Sequence, residues 1–323
     1  MSLTTTKYIA VASLSVLLTA CGDSGLDKKS GKVLYQEAAQ HLYTKDSQFN
    51  FNADFLVDIE NENPMLQGLK IKLSGAANNS AQRYELIPEV QAAIFNFKLP
   101  MLIDGKKHEA LFDTSSVVET ALMFAPQAQS ELQQYKNKFV RFSPDNFTID
   151  EDDMAQALVV MTEALTIGGG VLNEFYQAVP ESSIQKLALD DTAKQLDAKA
   201  LLSVNLNKRQ SKALQEHINT YMYDAVAANK KLPKDFKRGF LEALEENEVD
   251  GGYESSESML YLNAKGQIIH EVSVFNYEIE GEEVSINATV DYSNYGKANF
   301  TLSPKKNQII DITEENLSAI QDM

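Results

Sequence analysis

Tryptophan is absent from this 323-residue chain, and cysteine occurs once, at position 21. A single thiol cannot form a disulfide within the chain, so packing and hydrogen bonds must hold the fold. Histidine is scarce. His41, His108, His217 and His270 are the four, and none stands in an HExxH pattern or in a deliberate-looking i, i+4 pair with another ligand, so zinc is not expected. Basic residues are few beside acidic ones, 29 against 46, for a net charge of −17 at pH 7. Nucleic-acid phosphates need lysine and arginine, so nucleic acid is excluded as a partner. The same balance argues against a domain lying flat on an anionic leaflet, and for a solvated, self-repelling surface. Long apolar runs are missing too. Ile9–Leu18 is apolar or small for ten residues, where a spanning helix needs about 20. No other stretch reads as long enough to span.

That short run has a plain meaning. Lys7 is the only charge before Asp23, and the run ends in Leu18-Thr19-Ala20-Cys21. A basic residue, a short apolar core and a small-residue end describe a secretory signal. The end resembles the bacterial lipobox. The resemblance implies that Cys21 becomes the first residue of the mature chain, with diacylglycerol on its thiol and a third acyl chain on its amine. One acyl chain holds a protein only marginally, at about 0.8 kcal/mol per buried CH₂, whereas three make a durable anchor. Gly22, where an aspartate would retain the protein at the inner membrane, implies an outer-membrane, periplasm-facing location. Removing residues 1–20 takes away Lys7 and no acid, which leaves 28 basic against 46 acidic residues. Gly22–Lys32, GDSGLDKKSGK, reads as a flexible tether with a reach of roughly 18 Å. Its GDSG is not a protease signature. A nucleophilic serine needs a pocket and an oriented base, and a serine three residues from a lipid anchor has neither. The expected organisation is a signal over 1–20, a lipidated cysteine and tether over 21–32, and one periplasmic domain over 33–323.

Within that domain the apolar period alternates between types. Val33, Leu34, Ala38, Leu42 and Tyr43 are spaced as a helix. From Phe49 the period becomes two: Phe49, Phe51, Ala53, Phe55 and Val57 alternate with polar residues, as in an antiparallel strand with one wet face. Further strands follow through GLKIKLSG, AQRYELI and AAIFNFKLP, and MLIDGKKHEALFD reads as a hairpin turning at Asp104-Gly105. Helices are expected over VVETALMFAPQAQSELQQY, broken near Pro126, and over MAQALVVMTEALTI, ended by Gly168-Gly169-Gly170 before a further short helix. KFVRF and QLDAKALLSVNL read as strands. KRQSKALQEHINTYMYDAVAAN and LPKDFKRGFLEALEE read as helices. SMLYLN, IIHEVSVFNYEI, VSINATVDYS and ANFTLS read as a second meander, QIIDI as a last strand and TEENLSAI as a last helix. The expected class is α+β, with about 11–12 antiparallel strands in two blocks, about 48–142 and 196–312, and helices between them.

The motifs that carry chemistry have plainer readings. Ser183-Ile184-Gln185-Lys186 fits SxxK and Ser203-Val204-Asn205 fits SxN, but no KTG strand follows. They read as a capped helix and a strand. The acidic groups at 150–153 and 278–283 lack the spaced ligands and central glycine of a calcium loop. Gly168–Gly170 lacks the lysine of a phosphate loop. No cofactor and no catalysis are expected.

The order of a lipobox, a tether, a helix, a meander of long strands, then IDGKKHEALFDTSS leading into helices and a second meander resembles the LolA/LolB-like and LppX/LprG-like envelope lipoproteins over about residues 33–312. The chain is longer than those families and lacks tryptophan. The resemblance implies a curved antiparallel sheet wrapped around helices, with a hydrophobic cavity that accepts acyl chains. The cavity candidates are Leu122, Met123 and Phe124 on one helix and Leu158, Val159 and Met161 on the next, because methionine and phenylalanine suit an adaptable cavity. The expected partners are the membrane, through Cys21, and a lipid or acyl ligand. An envelope protein that uses the outer surface, over a filled core, is the alternative.

Overall fold

The computed structural model describes residues 25–44, 46–59, 69–91, 96–124, 126–146, 153–246, 253–279 and 282–313. The lipobox, the acidic run 150–152 and the helix expected after Thr313 lie outside them. The chain runs through α1 (Gly31–Tyr43), β1 (Gln48–Ile59), β2 (Leu69–Asn78), β3 (Arg83–Gln91), β4 (Asn96–Lys98), β5 (Met101–Asp104) and β6 (Glu109–Asp113). It continues through α2 (Ser115–Phe124), β7 (Phe139–Phe142), α3 (Asp153–Ala178), β8 (Ile184–Leu187) and β9 (Ala200–Leu206). After α4 (Lys208–Ala228) and α5 (Lys234–Glu246) come β10 (Tyr253–Leu262), β11 (Ile268–Ile279), β12 (Glu282–Ser293) and β13 (Ile309–Asp311).

The thirteen strands among the described residues belong to one open sheet, in the order β13-β7-β6-β5-β3-β2-β1-β12-β11-β10-β9-β8, with β4 on β3. The fold is α+β. Both meanders are present, and they are joined: β1 pairs with β12 from Asn50↔Ser293 to Ile59↔Val284. The sheet is antiparallel except where β13 runs parallel to β7.

Alternation decides which face is buried. Phe51 lies between Gly75 and Tyr292, and Phe55 lies between Ile71 and Ala288. These apolar positions share one face. Asn52, Asp54, Lys70, Lys72, Asn287 and Asp291 share the other and are wet. Helices α1, α3 and α4 lie on the apolar face. Leu34, Ala38 and Leu42 of α1, Tyr176 of α3 and Leu214 of α4 form one core cluster with Phe49, Ala77, Leu202, Val204, Leu260 and Ile268. Lys32 fastens α1 to α3, donating to the carbonyls of Gln177 at 2.6 Å and Val179 at 2.5 Å, the last carbonyls of a helix being orphan acceptors.

Four expectations are corrected. Gly168–Gly170 does not end a helix: α3 runs through it for 26 residues, carried by packing on both sides against α1 and α4. Unbroken, its segment Gln156–Ala178 is long and apolar enough to cross a bilayer by length and composition, which the split reading concealed. ANFTLS is not a strand. The Glu85 carboxylate takes the N–H groups of Thr301 and Leu302 at 2.8 and 2.6 Å, and Asn50 pairs with the Asn299 backbone at 2.7 and 2.8 Å. The segment therefore crosses the outer face of the sheet and reaches β13. Residues 184–187 form edge strand β8, not a capped helix. The tether is shorter than expected, because Leu26 is buried in the core cluster and Lys186 Nζ donates to its carbonyl at 2.8 Å.

Candidate functional site

The apolar face of the sheet is not packed throughout. Ala53 and Ala288 are buried, but Phe55, Ile71, Val90, Phe275 and Ile286 on the same face are only half-buried, and none belongs to the core cluster. Apolar surface thus remains accessible on that face of the sheet.

At the end of the sheet near the β2–β3 turn this face borders a cleft of about 720 Å³, within the 300–1,000 Å³ usual for ligand sites. Phe49 and Phe51 of β1, Ala77 of β2 and Tyr84 of β3 form its floor. Leu42 and Tyr43, at the end of α1, close one side, and α3 forms the roof from Ala164 to Leu172. Asn79, Ser80, Gln82 and Lys106 give the lip its polar groups. The glycines expected to stop α3 are part of this roof. Each glycine inside a helix costs about 0.5–1 kcal/mol relative to alanine. A Cβ on Gly170 would meet the Tyr221 hydroxyl at 2.5 Å, but one on Gly168 or Gly169 would meet nothing within 4 Å. At two of the three positions, then, sterics does not require glycine, and the missing side chains leave the cleft open.

Behind the cleft stands a group of aromatic hydroxyls with one carboxyl. Tyr35 stacks on Tyr176 at 4.7 Å, and Tyr43 tilts against Tyr176 at 5.5 Å. Phe49 meets Tyr292 at 6.0 Å and Tyr295 at 6.2 Å. Glu271 lies among them on the inward face of β11. Burial pushes its carboxyl above the ordinary value, while the Ser273 hydroxyl and the nearby His270 pull weakly the other way. Burial, with Glu271 nearby, also pushes the hydroxyls of Tyr43, Tyr176, Tyr292 and Tyr295 up.

The expected cavity residues sit elsewhere. Leu158 is buried and Val159 and Met161 are half-buried, all on the α3 turns before the roof. Leu122 is half-buried and Met123 is 74 % exposed on α2. The Phe124 side chain lies outside the described residues. None of the six lines the cleft. Its lining comes from β1, β2, β3 and the glycine turn, a grouping that sequence order hides. The one available signal was the run of glycines inside an apolar helical period.

The other motifs do not assemble. Lys186 Nζ is turned to Leu26 and Asp27, and Ser203 accepts from Asn205. The histidines lie apart: His41 against Tyr295, His108 on Thr162, His217 on Glu174 and His270 on Asp291. Among the described residues, no three His, Cys, Asp or Glu side chains form a metal-holding group. No protein-family model matches this chain, and no curated protein matches it.

Proposed function

We propose that this chain is a non-catalytic envelope lipoprotein that shelters a hydrophobic ligand, an acyl or alkyl chain, between its sheet and its helices. The carrying observation is the cleft of about 720 Å³ floored by Phe49, Phe51 and Tyr84 and roofed by Gly168–Gly170. The half-buried apolar side chains beyond it extend the same surface. The lipobox at Leu18–Cys21 supports membrane attachment, and Gly22 supports the outer membrane. With Leu26 docked, four residues lie between Cys21 and Leu26, five steps and at most about 17 Å of extended chain. The domain would then work close to the bilayer from which its ligand comes. Burial of the chain is the whole mechanism, driven by roughly 25 cal/mol per Å² of apolar surface removed from water.

The test uses the full chain with Cys21→Ser, purified without detergent, in native mass spectrometry with lipid extraction. A stoichiometric acyl-bearing adduct is expected. A clean apo mass, unchanged after incubation with phospholipid, overturns the reading. It would favour a protein-interaction module, for which Met123 and Val117 on α2, 74 % and 38 % exposed, offer an apolar surface.

A further inference from the structure

The charge of the cleft is not the charge of the chain. Acidic residues outnumber basic ones 46 to 29, yet among the described residues that line the cleft none is an acid, and Lys106 is its one cation. Apolar and polar groups are also sorted. Phe49, Phe51 and Ala77 lie on the floor, and the polar side chains stand at the lip. Two of these are already engaged. Asn79 Nδ2 donates to the carbonyls of Leu42 and Thr44 at 3.2 and 2.9 Å, and the Ser80 hydroxyl donates to Asn78 at 2.9 Å. Lys106 is exposed, and among the described residues its ammonium group has no acidic partner. The nearby acids are taken by its neighbour. Lys107 Nζ stands 3.9 Å from Asp104 and 3.9 Å from Glu109, and Asp104 Oδ1 accepts the backbone N–H groups of Lys106 and Lys107, each at 3.2 Å.

The turn that carries Lys106 is fastened on both sides. It spans residues 105–108 between β5 and β6. On one side the Gly105 N–H donates to the Gln82 carbonyl at 2.7 Å, and Gln82 holds the β2–β3 turn in left-handed backbone at φ 52°. On the other side the His108 ring bonds the Thr162 hydroxyl of α3 at 2.6 Å, two residues before the roof begins at Ala164. The turn therefore ties the floor strands to the roof helix and sets Lys106 at the gap between them. A lysine there can lay its stem along the mouth and offer its ammonium group to a head left in water. The net charge of −17 repels an anion at long range. That repulsion falls off over about 10 Å at 0.1 M salt, so the contact at the lip decides which head group is preferred.

We propose that the cleft takes single-chain amphiphiles with an anionic head, a carboxylate or a phosphate, and that Lys106 at the lip selects that head. The ligand enters tail first, with its chain along Phe49, Phe51 and the glycine roof and its head beside Lys106. The proposal rests on the cleft reading above, and the experiment separates the two. Isothermal titration of the full Cys21→Ser chain would compare dodecanoate, dodecyl phosphate, dodecyl maltoside and dodecyltrimethylammonium below their micellar concentrations. At least one of the two anions is expected to bind tighter than the trimethylammonium, and the tighter anion names the head. Lys106→Met is expected to weaken that anion about fivefold, the upper range for an exposed ion pair. It should leave maltoside affinity unchanged, which shows that the cleft is intact. Lys106→Glu should turn the preference toward the trimethylammonium. Lys107→Met, which removes the neighbour already paired with Asp104 and Glu109, should leave the anion preference as it is. Equal affinities for anions and cation, anion binding that Lys106→Met does not weaken, or an equal loss with Lys107→Met overturn the role of Lys106 and leave the cleft reading standing. Failure of all four amphiphiles to bind overturns both.

Discussion

The Glu85 carboxylate of β3 accepts the Leu302 N–H at 2.6 Å and so ties the segment after β12 across the outer face of the sheet. The same carboxylate takes the Thr301 N–H and hydroxyl, each at 2.8 Å, and its residue is 1 % exposed. Hydrogen bonds to a charged group contribute about 1.5–3 kcal/mol each, and orphaned donors add their desolvation cost. Glu85→Ala is expected to lower stability by about 3 kcal/mol in urea unfolding, and Glu85→Gln by about half that. Trypsin should also cut faster at Lys305 and Lys306 in the alanine variant. Unchanged midpoints and unchanged cleavage would show that the crossing segment is held by something else.

A second carboxylate joins the helices. Burial alone would raise the Glu163 carboxyl, but Lys231 at 2.7 Å and Asn229 at 2.9 Å outweigh it and hold it below the ordinary value of 4.5. A lowered folded value means that the unfolded chain binds the proton more readily. The stabilisation is therefore full above about pH 4.5 and is lost as pH falls through the folded value. Glu163→Gln should destabilise at pH 7 by about 1–3 kcal/mol, a charged hydrogen bond being lost. The deficit should shrink toward pH 3 in thermal scans.

Glu271 has the opposite sign. Its folded value is raised above 4.5, so in the window above 4.5 the folded chain keeps a proton that the unfolded chain has released. Its contribution to stability falls as pH rises through that window. Glu271→Gln is expected to match the parent near pH 4 and to exceed it in stability at pH 8, where the parent's unfolded chain has released the proton that the folded chain keeps. A variant less stable than the parent at pH 8 would contradict this.

The glycine roof separates helix propensity from open space. Gly168→Ala and Gly169→Ala should each raise stability by about 0.5–1 kcal/mol, because nothing stands where their Cβ atoms would go. Gly170→Ala should gain nothing, because the Tyr221 hydroxyl occupies that place. Gly169→Leu should stay folded while losing the acyl-bearing adduct in native mass spectrometry. If the adduct persists, the ligand does not enter beneath α3.

Much of this architecture was legible because alternation is a direct record of a one-sided sheet. FNFNADFLVDI announces a strand with phenylalanines on one face, and Phe49, Phe51, Ala53, Phe55 and Val57 lie inward as that period requires. The β5–β6 hairpin and the helices after residues 30, 207 and 233 were readable for similar local reasons, although Asp104 pairs with Glu109 and the turn is residues 105–108, not Asp104-Gly105. What was not legible depended on partners distant in sequence. β8 has one buried residue in four, too short a record for any period. Residues 298–303 alternate like a strand, yet their N–H groups are taken by Glu85 and Asn50 side chains more than 200 residues away. The glycines of α3 looked like a terminator because local propensity says so, and tertiary packing overrode it. The cleft candidates failed for the same reason: which turn of an apolar helix overhangs open space is set by the neighbours, not by the helix.

The β1–β12 seam also sets the order in which the molecule can come together. Phe51 and Tyr292 are direct partners across it, yet nearly the whole domain is made between them. Loop closure on that scale is slow to nucleate. Until β12 arrives, β1 presents an unpaired edge and a row of phenylalanines, the combination that invites association between chains. A chain stopped before residue 282 would keep that edge permanently. Premature stops before residue 282 are therefore expected to give aggregates, not shortened folded proteins, and separate expression of residues 253–313 should rescue them only if the seam can close between two molecules.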